Sequence, residues 1–243
     1  MNTIETIRKF EALKLYGISN KYQSIIDQLP SQPAPDLHEV AGMFADAETE
    51  CQSDKRTEYY IKNARLRLNL STQEIDCSST RGLGRELWTV LCELRFIKEG
   101  TNIVITGPTG VGKSAIACAL GRHACVKGYR TRYYNMNRLI EEIKTAKLGG
   151  TYIKLIDQIA KVPLLVIDDF GLKVMSTDTR VAFYEILEDR IGRGATIITS
   201  QLPIPQWYDK FGDKTVAEAC LDRITGSAQK IELSGTSRRS KKA

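Results

Sequence analysis

Apolar positions in this chain follow two regimes, a helical spacing near the N-terminus and short unbroken runs further on. Between residues 3 and 16, Ile4, Ile7, Phe10 and Leu13 fall at three-residue steps, close enough to the helical period to predict one amphipathic helix. A second, shorter helix is expected over residues 20–29, ending before SQPAPD, where two prolines and an aspartate break the chain and start the next helix. From Glu39, the spacing of Val40, Met43, Phe44, Ala47 and Cys51 predicts a longer third helix with room to continue through Tyr59 to Leu68. Lys55, Arg56, Lys62, Arg65 and Arg67, set against Glu58, give its second half a basic surface.

The stretch STQEIDCSSTRGLGR, residues 71–85, is polar with two glycines and reads as a linker between an N-terminal helical domain, residues 1–70, and the rest of the chain. From Glu86 the pattern changes to short apolar strands at residues 102–106, 131–134, 164–168, 196–199 and 229–233, separated by helix-length segments. That alternation predicts βαβ units and a parallel sheet, placing an α/β domain at residues 86–235 and a basic tail at residues 236–243. No internal repeat is present.

Composition narrows the class. At 243 residues, 42% hydrophobic and 26% charged, the chain is neither a disordered tail nor a fibre. Its longest uncharged apolar runs fall far short of the roughly 20 residues that span a bilayer. The N-terminus interleaves acids and bases without an apolar h-region, so no signal peptide is expected. The expectation is a soluble, cytoplasmic, nucleoid-associated protein. Six scattered cysteines and two isolated histidines, His38 and His123, lack metal-ligand spacing and read as reduced thiols and ordinary side chains. The formal charge of +6 is uneven: residues 1–70 hold 9 bases and 10 acids, and the last ten residues, SGTSRRSKKA, contribute +4. Such a tail is either a solvated end or a segment that lies along phosphates.

The chemistry concentrates in Gly107, Pro108, Thr109, Gly110, Val111, Gly112, Lys113 and Ser114, a full GxxxxGK[ST] match that follows the strand NIVIT and opens a helix. Glycines let the backbone curl so that successive N–H groups face phosphate oxygens, and the helix N-terminus adds partial positive charge. In this pattern Lys113 reaches the β- and γ-phosphates of ATP and Ser114 holds Mg²⁺. LLVIDD then delivers Asp168 and Asp169 to a strand end, a Walker B pattern in which Asp168 joins the Mg²⁺ shell and Asp169 orients the attacking water. The next strand, ATIITSQ, ends where a γ-phosphate would sit; Gln201 is the candidate sensing residue, with Ser200 or Thr199 close behind and a plain turn residue as the alternative.

At this point the chain resembles the IstB-like insertion-sequence transposition helper ATPases, relatives of the DnaC-type helicase loaders within the AAA+ class. The resemblance is carried by LRFIKEGTNIVITGPTGVGKSAIA, LLVIDDFG, TIITSQLPIPQWYDKF and LDRITGSAQKIEL, which cover most of residues 85–235. The TSQLPxxxWxxxF stretch and its spacing to LDRI are more specific than the Walker motifs. The resemblance implies a P-loop AAA+ sheet flanked by helices, ATP-driven self-association on duplex DNA, and delivery of a transposase to that DNA. It also implies that Arg223 is an arginine finger for a neighbouring subunit's site, against the alternative of a helix-end arginine paired with Asp222. Arg239, with Arg238 as its neighbour, falls where the family places a second sensing arginine. Two departures stand out: the class more often has Glu at the position of Asp169 and Asn at that of Gln201, and the shorter carboxylate could slow hydrolysis even where ATP binds well, which leaves the rate open.

For DNA the sequence offers a patch. Lys144, Lys147 and Lys154 flank Gly149 and Gly150, and such a basic loop could grip a phosphate backbone without reading bases, a solvated helix end being the alternative. A DnaC-type helicase loader is the runner-up function. A small-molecule P-loop kinase and an ATP switch that assembles without hydrolysing are further alternatives.

Overall fold

The computed structural model describes residues 2–31 and 33–237 and divides into two compact units, residues 1–59 and 60–243. Two helices, α1 (Thr3–Ala12) and α2 (Tyr16–Gln28), and most of a third, α3 (Leu37–Ala64), form the first unit. Its centre is an edge-to-face cluster of Phe10, Tyr22 and Phe44, with ring centroids 6.0 to 6.3 Å apart. The predicted α1 stripe is only partly used. Lys14 turns left-handed (φ 62°) just after the helix, and Ile4 and Leu13 stay exposed. The start of α2 is instead fixed by Glu48, whose carboxylate accepts from the Gly17 and Ile18 N–H groups at 2.9 and 3.3 Å. A Cβ on Gly17 would stand 2.2 Å from the Ala47 carbonyl, so glycine permits this close approach of α2 to α3.

In chain order the second unit carries α4 (Arg85–Cys92), α5 (Arg95–Glu99), β1 (Ile103–Thr106), α6 (Lys113–Val126), β2 (Thr131–Asn135), α7 (Met136–Leu148) and α8 (Tyr152–Ala160). There follow β3 (Leu164–Phe170), α9 (Thr177–Arg190), β4 (Ala195–Ser200), α10 (Tyr208–Phe211), α11 (Lys214–Thr225) and β5 (Gln229–Glu232). The five strands pair in parallel in the order β2-β3-β4-β1-β5. Parallel neighbours need crossover helices, which cover both faces and explain why the strands read as unbroken apolar runs. Ile103 and Ile105 pack with α4, α5 and α6 on one face, while Val104, Leu165, Ile167 and Ile198 pack with α7, α8, α9 and α11 on the other. The fold is therefore the expected α/β parallel sheet with helices on each side, preceded by a small all-α unit. No described helix is long and apolar enough to cross a membrane.

The boundary between units lies inside α3, whereas the sequence suggested residues 1–70 as the helical domain. Residues 71–85 also differ from the linker expected there, because they fold onto the second unit. Ser71 and Glu74 form a reciprocal cap, the Trp88 indole donates to the Thr72 carbonyl at 3.2 Å, and Leu83 is fully buried. Gly82 (φ 83°) passes so close to β5 that a Cβ would lie 1.9 Å from the Glu232 carbonyl. Its glycine marks a close backbone approach rather than slack chain.

Candidate functional site

Strand β4 lies between β1 and β3, so the ends of these three strands bring the phosphate-loop sequence, the Walker B carboxylates and Gln201 to one edge of the sheet. Between β1 and α6 the backbone turns through Gly107 (φ 143°), Gly110 (φ 86°) and Gly112 (φ 104°), three left-handed positions that L side chains rarely adopt. A Cβ on Gly107 would sit 2.2 Å from the Leu233 carbonyl, and one on Gly110 2.2 Å from Ser237 Oγ. Within this cradle the Lys113 ammonium, mostly buried, donates to the carbonyls of Gly107 and Pro108 at 2.7 and 2.8 Å. Arg81, from the segment first read as a linker, braces the loop by donating to the Val111 carbonyl.

Asp168 is fully buried and held by three hydroxyl donors. Ser114 Oγ donates to its Oδ1 at 2.9 Å, Thr199 Oγ1 donates to the same oxygen, and the Tyr133 phenol donates to Oδ2 at 2.7 Å. Burial, then the hydrogen bond to Asp168, pushes the Tyr133 phenol well above its ordinary range. Asp169 behaves differently. The register of β3 against β4 slips between Ile167 and Phe170, and Asp169 takes a left-handed backbone (φ 60°) that aims its side chain elsewhere. Its Oδ2 accepts from Asn135 Nδ2 at 2.9 Å and faces the Arg67 guanidinium at 3.5 Å, while its N–H donates to Thr199 Oγ1 at 3.2 Å. Arg67 also stands 3.6 Å from Asp168. Burial works against the charge of Arg67, but Tyr133 and the two aspartates outweigh it and hold its pKa above the ordinary value.

Gln201 lies across the loop from Asp169, its Oε1 accepting from Thr109 Oγ1 at 2.7 Å. The TSQLPxxxWxxxF stretch is chiefly packing. Trp207 and Phe211 are fully buried against Phe170, with centroids 4.6 and 5.9 Å away, and the Trp207 indole donates to the Leu202 carbonyl at 2.9 Å. This clamps the turn that presents Ser200 and Gln201.

Arg223 is far from this edge. Its carbonyl accepts from Asn102 Nδ2 at 2.9 Å, just before β1 begins, so it sits at the opposite end of the sheet from the phosphate loop. Its guanidinium pairs with Glu188, not Asp222, and donates to the Tyr184 phenol at 3.0 Å and the Ala219 carbonyl at 2.9 Å. The basic patch forms two helices instead of a loop: Lys144 pairs with Glu141 at 3.0 Å on α7, and Lys147 with Asp178 at 2.9 Å while lying over the Tyr152 ring. Lys154 is exposed on α8. Arg238 and Arg239 lie outside the described residues.

The residues present fit a nucleoside triphosphate with a divalent cation. Three left-handed glycines form a cradle that side chains would fill, and the Ser114 hydroxyl and Asp168 carboxylate are hard oxygen donors suited to Mg²⁺. Among the described residues no cluster of His, Cys, Asp and Glu could hold a metal unaided, so phosphate oxygens would complete the shell. The sequence pattern assigns no site role to Tyr133, Asn135 or Arg81, and marks Arg67 only as part of a basic helix surface. Asn135 alone left a local signal, as a strand-end residue that also caps α7 by accepting from the Asn137 N–H at 3.1 Å.

Residues 8–243 match the profile of a family described as IstB-like ATP binding protein. An insertion sequence ATP-binding protein of Sinorhizobium fredii strain NGR234 is 36% identical over 96% of this chain and 95% of its own length. The ATP-binding protein of insertion sequence IS1162 from Pseudomonas fluorescens is 34% identical over 84% of this chain and 88% of its own. The crystal structure of the DnaC helicase loader superposes with a TM-score of 0.54 at 20% identity, covering 72% of this chain and 98% of that one, a likeness of fold.

Proposed function

This chain belongs to the IstB-like ATP binding protein family, and from that premise we propose that it is an ATP-dependent regulator of transposition: it binds ATP with Mg²⁺, self-associates on duplex DNA, and recruits or stimulates the transposase of its insertion element. The observation that carries the reading is the joining of the phosphate loop to Walker B through Ser114, Asp168 and Thr199, in a chain whose relatives are insertion-sequence ATP-binding proteins. A helicase loader shares the fold at 20% identity, and the family match favours transposition.

In this reading the loop N–H groups and Lys113 hold the triphosphate, Lys113 exchanging its two loop carbonyls for phosphate oxygens. Ser114 and Asp168 hold the Mg²⁺, which when bound offsets the negative charge gathered on the β- and γ-phosphates. Asp169 orients the attacking water once it leaves Asn135 and Arg67, and Gln201 senses the terminal phosphate. Arg223 acts on a neighbouring subunit's nucleotide, since its own lies at the other end of the sheet. Hydrolysis then depends on assembly. The modest net charge of +6 per chain makes DNA affinity a property of the assembly, whose repeated lysines, including Lys144, Lys147 and Lys154, build the field that one copy lacks.

The test is size-exclusion chromatography with ATP, with and without duplex DNA, alongside phosphate release. Wild type should grow into a large assembly on duplex, and Lys113→Ala should abolish this together with ATP binding. Arg223→Ala should bind ATP but not turn it over. A monomer that ignores DNA while phosphorylating a small acceptor would overturn the proposal.

A further inference from the structure

Beyond the phosphate loop, on the far side of Asp169, lies a cavity of about 570 Å³ whose wall includes Arg65, Arg67, Arg138, Asn135, Glu142 and Asp169. Its two carboxylates are already paired, Glu142 with Arg132 at 4.0 Å and Asp169 with Arg67 at 3.5 Å. The side chains of Arg65 and Arg138 are exposed, and their guanidinium groups make no hydrogen bond or ion pair among the described residues. Two uncompensated guanidinium groups therefore converge on one polar concavity, with the Arg67 guanidinium in the same wall.

We propose that this cavity is a second phosphate-binding site, separate from the phosphate loop, in which Arg65 and Arg138 take the oxygens of a phosphate group. Guanidinium forks match phosphate geometry and form short charge-assisted bonds to it. The volume falls within the range of pockets that take small ligands. Arg67 links this site to hydrolysis. It touches Asp169 and Asp168 at the weak distances of 3.5 and 3.6 Å, and a phosphate in the cavity competes for it. Occupation would then relax Arg67 from Asp169, the carboxylate proposed to orient water. The phosphate could come from a DNA backbone or from free inorganic phosphate. The DNA source rests on the proposed function, whereas the site's chemistry does not.

The experiment uses the full chain with its phosphate loop saturated by a non-hydrolysable ATP analogue, comparing wild type, Arg138→Gln, and Arg65→Asn combined with Arg138→Gln. Asn at position 65 tolerates the left-handed backbone there (φ 53°), and Arg138 is exposed on α7, so the single variant guards against misfolding. Duplex binding is read by fluorescence anisotropy across a salt series, and inorganic phosphate binding by calorimetry. With a DNA phosphate, the double variant lowers the log–log salt slope by about 1.8, from about 0.9 per lost contact, the single variant by half as much, and ATP-analogue affinity is unchanged. With free phosphate, the slope is unchanged but calorimetric binding seen in wild type disappears in the double variant. If wild type binds no duplex, the proposed function fails, and the phosphate titration alone decides the site. Unchanged duplex slope with no phosphate binding to wild type, or with binding that survives in the double variant, overturns the proposal.

Discussion

Thr199→Val is the sharpest test of how the Walker B strand is held. Valine keeps the shape of threonine and opens no cavity, so the change isolates the hydroxyl. That hydroxyl donates to the buried Asp168 carboxylate and accepts from the Asp169 N–H at 3.2 Å. A hydrogen bond to a charged group contributes about 1.5–3 kcal/mol, and leaving the partly buried Asp169 N–H unpaired adds to the loss, for a total of about 3 kcal/mol. Thr199→Ser keeps the hydroxyl and gives up one buried methyl, a loss of about 1 kcal/mol. Both tryptophans, Trp88 and Trp207, lie buried in the second unit, so urea unfolding followed by their fluorescence reports that unit's stability. The valine variant should unfold at clearly lower urea than the serine variant with an unchanged m-value. In an Asp168→Asn background, where the amide oxygen still accepts, the cost of Thr199→Val should shrink by about 1 kcal/mol, the difference between a hydrogen bond to a charged acceptor and one to a neutral acceptor. Valine and serine variants of equal stability, or a full cost persisting in the Asp168→Asn background, would refute the view that Thr199 acts through Asp168.

Tyr133 supplies a pH signature. Its folded-state pKa is raised above the ordinary value of about 10, so the folded state keeps a proton that the unfolded chain gives up; this stabilisation is complete below that pH and is lost as pH rises toward the folded value. Urea midpoints should therefore decline less steeply above pH 10 in Tyr133→Phe than in wild type, and parallel declines would count against the Tyr133–Asp168 bond. Lys144→Ala with Lys147→Ala should fold normally, because exposed pairs such as Lys144–Glu141 contribute little to stability. If these lysines face DNA, anisotropy at rising salt should show weaker duplex binding and a shallower slope with ATP affinity retained; an unaltered duplex affinity removes them from the interface.

The strands and the phosphate loop were legible because their information is local. Runs such as Leu164 to Ile167, too short for a helix and bounded by Pro163 and the Asp168–Asp169 pair, match strands buried on both faces, and the glycine spacing of the loop is itself the geometry. What sequence concealed is long-range pairing. Arg67 meets Asp169 across 102 residues and Tyr133 meets Asp168 across 35, and neither arginine nor tyrosine advertises such a partner in its neighbourhood. The segment 71–85 misled for a related reason: its polar letters and glycines describe a linker equally well as a tight strap, and only β5 running beside Gly82 distinguishes the two. At Arg223 the alternative partner Asp222 is adjacent in sequence and so points about 100° away around the helix. Glu188, on α9, is the carboxylate that its side chain reaches.

The two adjacent carboxylates end in unlike states, and the cause is the backbone between them. Asp168 continues the β3 ladder opposite Asn135, so its side chain points into the sheet edge, where hydroxyls from α6, β2 and β4 converge on it. One residue later the register slips and Asp169 turns left-handed, which swings its carboxylate toward Asn135 and Arg67. Asp168 is thus pinned by groups that would each have to move, whereas Asp169 is held by one amide and one exposed arginine. In the proposed reaction this separates the tasks: cation binding draws on a rigid group, and water orientation on an adjustable one. A glutamate at position 169 would reach further from the same backbone, while the shorter aspartate must be released before it can act. If the proposed reaction holds, that geometry leads one to expect hydrolysis slower than nucleotide binding and sensitive to whatever engages Arg67.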